Sequence, residues 1–378
     1  MNRTNREFRL YVHIPFCIRK CAYCDFLSWP DSREIQELYV QALCREINAY
    51  RGRFSVGASS LFLGGGTPSI LEPKLLEKIM DALSGSFSFV ENPEISIEAN
   101  PGTVTLERLR AYREMGISRI SFGLQSAKNE ELRTLGRIHT YEEFLESYDM
   151  ARKAGFDNIN VDLMSGIPSQ TVEGWQWNLI QVMELEPEHI SAYSLIVEKG
   201  TPFAQRELNL PGEEEEREMY ESTATILGQK GYVQYEISNY ALPGRACAHN
   251  LGYWARDDYL GLGLGAASMV NNQRWNNTDS LEEYRAGAGE PQGLRVCQED
   301  LSVPEQMEET MILGLRRMEG VWRKDFRETY GIGMEEIYGD AIRRLVKLGL
   351  LSDDGQRIFL TRPGISLSNQ VFVEFMFE

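Results

Sequence analysis

The sequence has no run of apolar residues approaching the about 18 that a helix needs to cross a lipid bilayer. The segment from Met1 to Asn5 contains neither the apolar core nor the small-residue cleavage site of an export signal. Internal repeats and low-complexity linkers are absent as well. These absences predict a soluble, unprocessed cytoplasmic protein, and 378 residues suffice for one large domain with an appendage.

Positive charge is scarce. The chain has 39 lysines and arginines against 56 aspartates and glutamates, which gives a formal net charge of −17. A surface with this balance repels polyanions. The composition therefore argues against nucleic acid as a partner and against an anionic membrane as a general docking platform.

Cysteine is sparse and unevenly distributed. Three of the six cysteines, Cys17, Cys21 and Cys24, fall within eight residues, while the other three stand far apart. In a cytosolic chain, such clustering favours metal ligation over disulfide formation.

Short β-type runs alternate with amphipathic helical stretches over roughly the first half of the chain. The predicted strands are 8–15, 59–64, 94–99, 118–123, 157–163 and 189–194, and the predicted helices are 33–52, 72–84, 104–115, 140–154 and 171–185. Six successive β/α units indicate an α/β fold with a parallel sheet curled into a partial (β/α)6 barrel. In such barrels the chemistry lies at the carboxyl ends of the strands.

The remaining chain divides into two parts. We expect the barrel to cover 1–235, a connecting segment 236–303, and a small C-terminal domain 304–378. The last part has two helices, a turn and a strand in the order of a winged helix. Acidic residues outnumber basic ones there, so the electrostatic signature of a DNA-binding module is missing.

The three clustered cysteines have the spacing C-x3-C-x2-C and directly follow the first predicted strand. Soft thiolates suit iron–sulfur clusters, and three of them leave one iron of a [4Fe–4S] cube without a protein ligand. The alternative is a zinc site completed by His13 or a distant cysteine. Zinc sites more often show two closely spaced ligand pairs, which favours the cluster.

Two further motifs carry a family resemblance. The stretch Tyr11–Cys17 reads YVHIPFC, and Gly64–Ser69 reads GGGTPS at the end of the second strand. With the cysteines, they resemble the radical S-adenosylmethionine superfamily, within the group that contains oxygen-independent coproporphyrinogen III dehydrogenases and the HemW heme chaperones. The segment 360–372 is similar to this group's terminal domain, so the resemblance spans nearly the whole chain.

The resemblance implies that the cysteines bind a [4Fe–4S] cluster whose open iron chelates S-adenosylmethionine, with reductive cleavage to a 5′-deoxyadenosyl radical as the possible chemistry. Further matches are 98–101, 121–126, 135–137 and 161–164. The residues implied to contact S-adenosylmethionine are Tyr11, Tyr23, Gly65, Gly66, Thr67, Glu98, Gln125, Arg137 and Asp162. Arginine can clamp a carboxylate, and acids can bind ribose hydroxyls or an ammonium group.

Two places separate the chaperones from the dehydrogenases. The dehydrogenases carry a fourth cysteine where this chain has Phe26, which cannot ligate iron. The run from His249 to Trp254 reads HNLGYW and resembles the heme-associated motif of HemW-like proteins. The resemblance implies heme contacts by His249, Cys247, Tyr253 and Trp254, because imidazole and thiolate are axial ligands of heme iron. Without the resemblance, His249 would be a loop or core histidine and Cys247 a buried thiol.

Several other features receive a structural interpretation. The glycine-rich run Gly261–Gly265 lacks the G-x-G-x-x-G spacing and βαβ setting of a dinucleotide site, so we expect close backbone packing. The residues left as structural by default are Cys44, Cys297, His13, His139 and His189.

The preferred function is that of a heme chaperone, which binds heme and transfers it to acceptor hemoproteins. Any peripheral contact with a membrane would be made through the acceptor protein. Oxidative decarboxylation of coproporphyrinogen III is the main alternative, and radical opening of the heme ring is a third. The sequence leaves three questions open, because one fold hosts different functions. They are whether the barrel catalyses a reaction, which protein accepts the heme, and whether the chain forms a homodimer.

Overall fold

The computed structural model describes residues 8–377; the interpretation of Met1–Asn5 concerns residues outside this range. Six parallel strands form the centre of the main sheet. They are β1 (Phe8–Ile14), β2 (Ala58–Gly65), β3 (Phe89–Ala99), β4 (Arg119–Gln125), β5 (Ile159–Ser165) and β6 (His189–Ser194). The helices between them are α1 (Arg33–Ala49), α2 (Pro73–Ser86), α3 (Leu106–Glu114), α4 (Asn129–Leu135), α5 (Tyr141–Lys153) and α6 (Val172–Met183).

Local chemistry explains where several helices begin. The side chains of Ser32, Thr105, Thr140 and Thr171 each accept a hydrogen bond from a backbone N–H in the first turn of the helix that follows. Such N-caps satisfy donors that have no partner within the helix. The sequence prediction missed only α4 among these helices, because seven residues show too little periodicity.

Alternation within β1 separates the two faces of the sheet. Leu10, Val12 and Ile14 are fully buried in the large core under the helices. Arg9 and Tyr11 lie on the opposite face, where they contact polar groups of the barrel interior. The barrel therefore has an apolar outer layer and a polar interior.

The chain after β6 extends the same sheet on both edges. The elements are α7 (Glu213–Gly228), β7 (Val233–Glu236), β8 (Asn239–Ala241), α8 (Ala248–Trp254), β9 (Asp258–Leu262), β10 (Ala267–Val270), β11 (Gln273–Asn277), α9 (Leu281–Gly287) and β12 (Arg295–Asp300). The strand order is β12-β11-β10-β9-β1-β2-β3-β4-β5-β6-β8-β7. Within residues 8–377 the two edges do not pair, so the barrel is open.

Strand β9 pairs with β1 in parallel although about 250 residues separate them. It contains Gly261, where a Cβ atom would lie 2.1 Å from the carbonyl oxygen of Ala267. Only glycine permits this approach. Residues 236–303, expected as a connecting segment, thus supply strands to the main sheet, and the three-part division of the chain stays a prediction.

A second, smaller core holds the C-terminal region together. Its elements are α10 (Val303–Arg316), β13 (Val321–Trp322), α11 (Arg323–Tyr330), α12 (Met334–Lys347), β14 (Leu351–Asp353), β15 (Arg357–Leu360), α13 (Arg362–Ser366) and α14 (Ser368–Val373). Helices packed on a three-stranded antiparallel sheet of order β13-β15-β14 confirm the predicted winged-helix-like domain. Within residues 8–377, no helix has the length and apolar character required to span a membrane.

Candidate cofactor cavity and the neighbouring helix α8

The cysteine loop between β1 and α1 is fixed on three sides by backbone hydrogen bonds. The N–H of Cys17 donates to the carbonyl of Trp29 (3.1 Å). Ala22 donates to Leu135 at the end of α4 and accepts from Phe203, each at 3.0 Å. The loop is thus anchored to its own return, to α4 and to the segment after β6, while its three thiols remain only partly buried.

Hydrogen-bond donors approach all three thiols, since the backbone N–H of Phe26 hydrogen-bonds to Cys24. The hydroxyl of Thr67 lies 3.6 Å from the sulfur of Cys17, and Nη1 of Arg137 lies 3.4 Å from the sulfur of Cys21. Burial raises the pKa of Cys24, and the neighbouring thiols add to this shift. Donors of this kind stabilise metal-bound thiolates.

The arrangement of the thiols bears on the choice between a cluster and zinc. Within residues 8–377, no three His, Cys, Asp or Glu side chains converge on a point where they could hold a single metal ion. A zinc ion would require thiolates about 2.3 Å from one common centre. A [4Fe–4S] cube takes its thiolates on different irons, and three clustered soft thiolates are a donor set of the kind that such a cube requires.

A cavity of about 330 Å³ lies beside the three cysteines, at the carboxyl ends of the strands. Eight of the nine residues predicted to contact S-adenosylmethionine line it together with all three cysteines. Those eight are Tyr23, Gly65, Gly66, Thr67, Glu98, Gln125, Arg137 and Asp162. Tyr11 is not among the lining residues; its hydroxyl is 3.0 Å from Nδ1 of His13.

The glycines at the end of β2 are required by close approach of other groups. Gly65 has φ of +112°, and a Cβ there would lie 2.5 Å from the ring of His13. A Cβ at Gly66 would lie 2.6 Å from the carbonyl oxygen of Phe16. The N–H of Gly65 donates to Oε2 of Glu98 (2.9 Å). These residues form a cradle that leaves backbone atoms exposed to the cavity.

Two carboxyl groups face the cavity. Burial, together with the nearby Asp162 carboxylate, raises the pKa of Glu98 to about 8. Burial also raises the pKa of Asp162, although a hydrogen bond from Nδ2 of Asn160 (2.7 Å) opposes the shift. A cationic ligand group between these carboxyls would favour their ionised forms.

Arg137 supplies the opposite charge. Its Nη2 donates to Oδ1 of Asn100 (2.7 Å) and to the carbonyl of Gly123. Its buried Nε has no partner among residues 8–377. One guanidinium, two carboxyls and a glycine cradle beside three thiols fit a zwitterionic nucleoside ligand such as S-adenosylmethionine on an iron–sulfur cluster.

Helix α8 packs against the inner face of the sheet, next to the cavity. Glu94 in β3 accepts hydrogen bonds from the N–H groups of Ala248 and His249, both at 3.0 Å, and lies 3.4 Å from the sulfur of Cys247. Cys247 is fully buried, and burial raises the pKa of its thiol to about 12. The start of α8 is therefore anchored inside the barrel.

The imidazole of His249 is 1% exposed, and both of its nitrogens are engaged. Nδ1 lies 2.8 Å from Oγ of Ser60, and Nε2 lies 3.0 Å from the hydroxyl of Tyr253. Burial, with the charges of two arginines, lowers the pKa of His249 to about 3. The ring is neutral and closed to solvent in this position.

The four residues implied in heme contact do not share one surface. Cys247 and His249 lie in the interior, whereas Trp254 points to the C-terminal domain with the guanidinium of Arg316 4.5 Å from its ring centre. Tyr253 lies beside the interior pair, since its ring meets that of His249 edge-on with 4.8 Å between the centroids.

Comparison with known proteins agrees with this architecture. Residues 11–177 match the family model of the radical SAM superfamily, and residues 301–367 match the HemN C-terminal domain. Proteins named heme chaperone HemW from Lactococcus lactis and Bacillus subtilis are each 35% identical to this chain; the alignments cover 97% of this chain in both cases, and 97% and 99% of the relatives. The Escherichia coli protein of that name is 34% identical over 98% of both chains.

The chain belongs to the HemW group of the radical SAM superfamily. A solved structure, described as coproporphyrinogen III oxidase (HemN) from Escherichia coli, a radical SAM enzyme, superposes with a TM-score of 0.84 and 27% identity over 98% of this chain and 90% of that one. Both the predicted family and the predicted fold class are confirmed. The individual site residues of this HemW-group chain stay predictions.

Sequence reasoning missed several residues that line the cavity. Asn100 and Ser121 lie within quoted motifs but received no role. Ser191 and Tyr193 alternate along β6, and their inward direction could have been inferred from the period of two. Asn239 and Asn250 come from the part after β6, where no local pattern indicates that the chain returns to the barrel.

Proposed function

We propose that this HemW-group protein is a heme chaperone that binds heme and transfers it to acceptor hemoproteins. The observation that carries the proposal is the near full-length similarity to three proteins named heme chaperones. Phe26 supports it, since a 63% exposed phenyl ring lies at the cavity where the dehydrogenases have a fourth cysteine. That ring offers an apolar surface but no ligand for iron.

Within this proposal, Cys17, Cys21 and Cys24 hold a [4Fe–4S] cluster. Arg137 binds the carboxylate of S-adenosylmethionine. Glu98 binds the ammonium group of the same ligand, next to the glycine cradle at Gly65. When bound, this pair of cofactors supplies one-electron chemistry. The protein's own residues position the ligand and set the charge around it.

Heme is the cargo of the proposed chaperone, and His249 is its proposed ligand. A neutral imidazole has one lone pair for iron. Support comes from the motif at 249–254 and from the low pKa, which keeps the ring free of a competing proton. The closed position of the ring means that heme ligation requires α8 to move.

The test is anaerobic reconstitution of the cluster, followed by heme titration monitored by absorbance. His249→Ala should weaken heme binding at least tenfold, and heme-loaded wild type should pass heme to an apo-hemoprotein. His139→Ala removes another buried imidazole, whose Nε2 lies near the carbonyl of Leu124, and serves as the control that should bind heme normally.

A parallel assay addresses the coproporphyrinogen alternative. Incubation with coproporphyrinogen III, S-adenosylmethionine and a reductant should yield neither protoporphyrinogen IX nor stoichiometric 5′-deoxyadenosine. Formation of both products, combined with unchanged heme binding in His249→Ala, would replace the chaperone proposal with the enzymatic one.

A further inference from the structure

Two asparagines that have so far received no role form part of the cavity wall, and one of them, Asn250, belongs to the motif at 249–254. Asn250 belongs to α8 and Asn239 to β8, and both line the cavity. Asn239 is 8% exposed, its Nδ2 donates to Oε1 of Glu236 (2.5 Å), and its Oδ1 has no partner among residues 8–377. A buried acceptor without a donor is unfavourable, so this oxygen is suited to a donor group of a cavity ligand.

Asn250 directly follows His249 in the same helix. The cavity wall and the proposed heme ligand therefore move together whenever α8 moves. Ligation of heme iron needs a free lone pair on a nitrogen of the imidazole. It also needs space for the porphyrin at the edge of the imidazole that carries this nitrogen. Because both nitrogens of His249 are engaged and the ring is buried, the position of α8 seen here, hereafter the closed position, excludes heme ligation by His249.

Close packing against β1 also holds the closed position. A Cβ at Gly252 would lie 1.5 Å from Nε of Arg9. The Arg9 guanidinium is anchored in turn by Oδ2 of Asp257 (2.9 Å) and Oγ of Ser60 (3.3 Å). The side chain of Arg9 therefore crosses α8 where only glycine leaves room for it.

We propose that Asn239 and Asn250 bind the ligand of the barrel cavity, and that this ligand holds α8 closed and thereby opposes heme ligation by His249. The inference rests on the proposed function and adds a regulation to it. A ligand that contacts Asn250 only when α8 is closed must favour the closed position by the free energy of that contact. Heme bound to His249 must weaken the cavity ligand by the same factor.

Hydrogen exchange tests the closure without heme. The cluster-loaded protein is compared with and without S-adenosylhomocysteine, which carries the adenosine and amino-acid groups but no sulfonium. Exchange of the Ala248 and His249 amides should slow about tenfold, the factor that one or two neutral hydrogen bonds contribute. Asn250→Ala should abolish this slowing while the ligand still binds at high concentration. Equal exchange rates with and without ligand in wild type would overturn the inference.

Heme titration supplies the second arm. Saturating S-adenosylhomocysteine should raise the apparent heme dissociation constant of wild type about tenfold and leave that of Asn250→Ala unchanged. Gly252→Ala should act in the opposite direction, with tighter heme binding and weaker binding of the cavity ligand. An effect of ligand on heme below twofold in wild type contradicts the inference.

The two proposals fail in different ways. If His249→Ala binds heme like wild type, the proposed heme ligand is wrong, whereas ligand-dependent protection of α8 would still support the closure. If His249→Ala loses heme binding but neither arm responds to the ligand, the proposed function stands and the closure is wrong.

Discussion

Cysteine and tyrosine side chains occur together at two places in this barrel, under opposite conditions. At the carboxyl ends of the strands, three partly buried thiols border an open cavity of about 330 Å³. One layer deeper, Cys247 and His249 are almost completely buried and fully engaged by Glu94, Ser60 and Tyr253.

The cavity beside the three clustered cysteines is hereafter called the prepared site, and the buried Cys247 and His249 at α8 are called the closed site. The cavity has a volume of about 330 Å³, and its glycines, carboxyls and guanidinium already line it. The closed site can accept a ligand only after several hydrogen bonds break. Residue types alone would have made the two places equivalent candidates, and burial distinguishes them.

The strongest test of this comparison is loss of a cysteine at each place. Cys21→Ala should abolish cluster assembly, because only two of the three clustered thiolates remain. Cys247→Ala should assemble a normal cluster, since its thiol is separated from the cavity and hydrogen-bonds to Glu94. Cluster assembly in both variants is measured as the amount of iron and sulfide per chain after anaerobic reconstitution. A cluster lost in Cys247→Ala would contradict the separation of the two sites.

The next test removes the cation of the prepared site. Arg137→Leu should weaken S-adenosylhomocysteine binding about 100-fold, the loss of about 2.7 kcal/mol expected when charge-assisted hydrogen bonds disappear. Arg133→Leu removes an exposed guanidinium one helical turn earlier and should bind normally. Calorimetry on protein of equal iron content gives both constants. Equal affinities of the two variants would exclude Arg137 as a ligand contact.

Much of the prepared site was predictable because its signals are local. The six predicted central strands match β1 to β6 within a few residues, except that β3 begins five residues before the predicted 94. The motifs follow the ends of these strands, and parallel strands bring their carboxyl ends to one edge. Eight of nine predicted ligand contacts consequently meet at the cavity.

The closed site was not predictable for the opposite reason. Pairing of β9 with β1 joins residues about 250 positions apart, and no periodicity within either strand specifies its partner. Without that pairing, nothing indicates that α8 enters the barrel or that Glu94 receives its first N–H groups. The motif at 249–254 indicated a function while its position remained unknown.

The closed site can be weakened directly at its anchor. Glu94→Gln should destabilise the protein by about 2 kcal/mol, because the carboxylate accepts two N–H donors of α8 and an amide replaces one acceptor oxygen by a donor. Glu91→Gln alters an exposed position of the same strand and should change stability by less than about 0.5 kcal/mol. Urea unfolding measures both, and equal stability of the two variants would mean that α8 is held elsewhere.

The smallest expected effect is a pH dependence confined to the cavity. With its pKa raised to about 8, the Glu98 carboxyl is mostly protonated at pH 7 and mostly ionised at pH 9. A cationic ligand binds the ionised form better, so affinity should rise about tenfold over this interval and level off above it. The nearby Asp162 carboxylate contributes to the raised pKa of Glu98.

The variant Glu98→Gln isolates this contribution, because ionisation of the ligand itself affects both proteins equally. The ratio of the S-adenosylhomocysteine dissociation constants, Glu98→Gln over wild type, should increase about tenfold from pH 7 to pH 9. Over the same interval, exchange of the α8 amides in ligand-free protein, corrected for the intrinsic pH dependence of exchange, should not change, since Glu98 does not contact α8 in the hydrogen bonds that hold it. A constant ratio would show that no cationic group of the ligand lies at Glu98. A change in the exchange rates of the α8 amides over the same pH interval would show that the prepared and closed sites are already coupled without ligand.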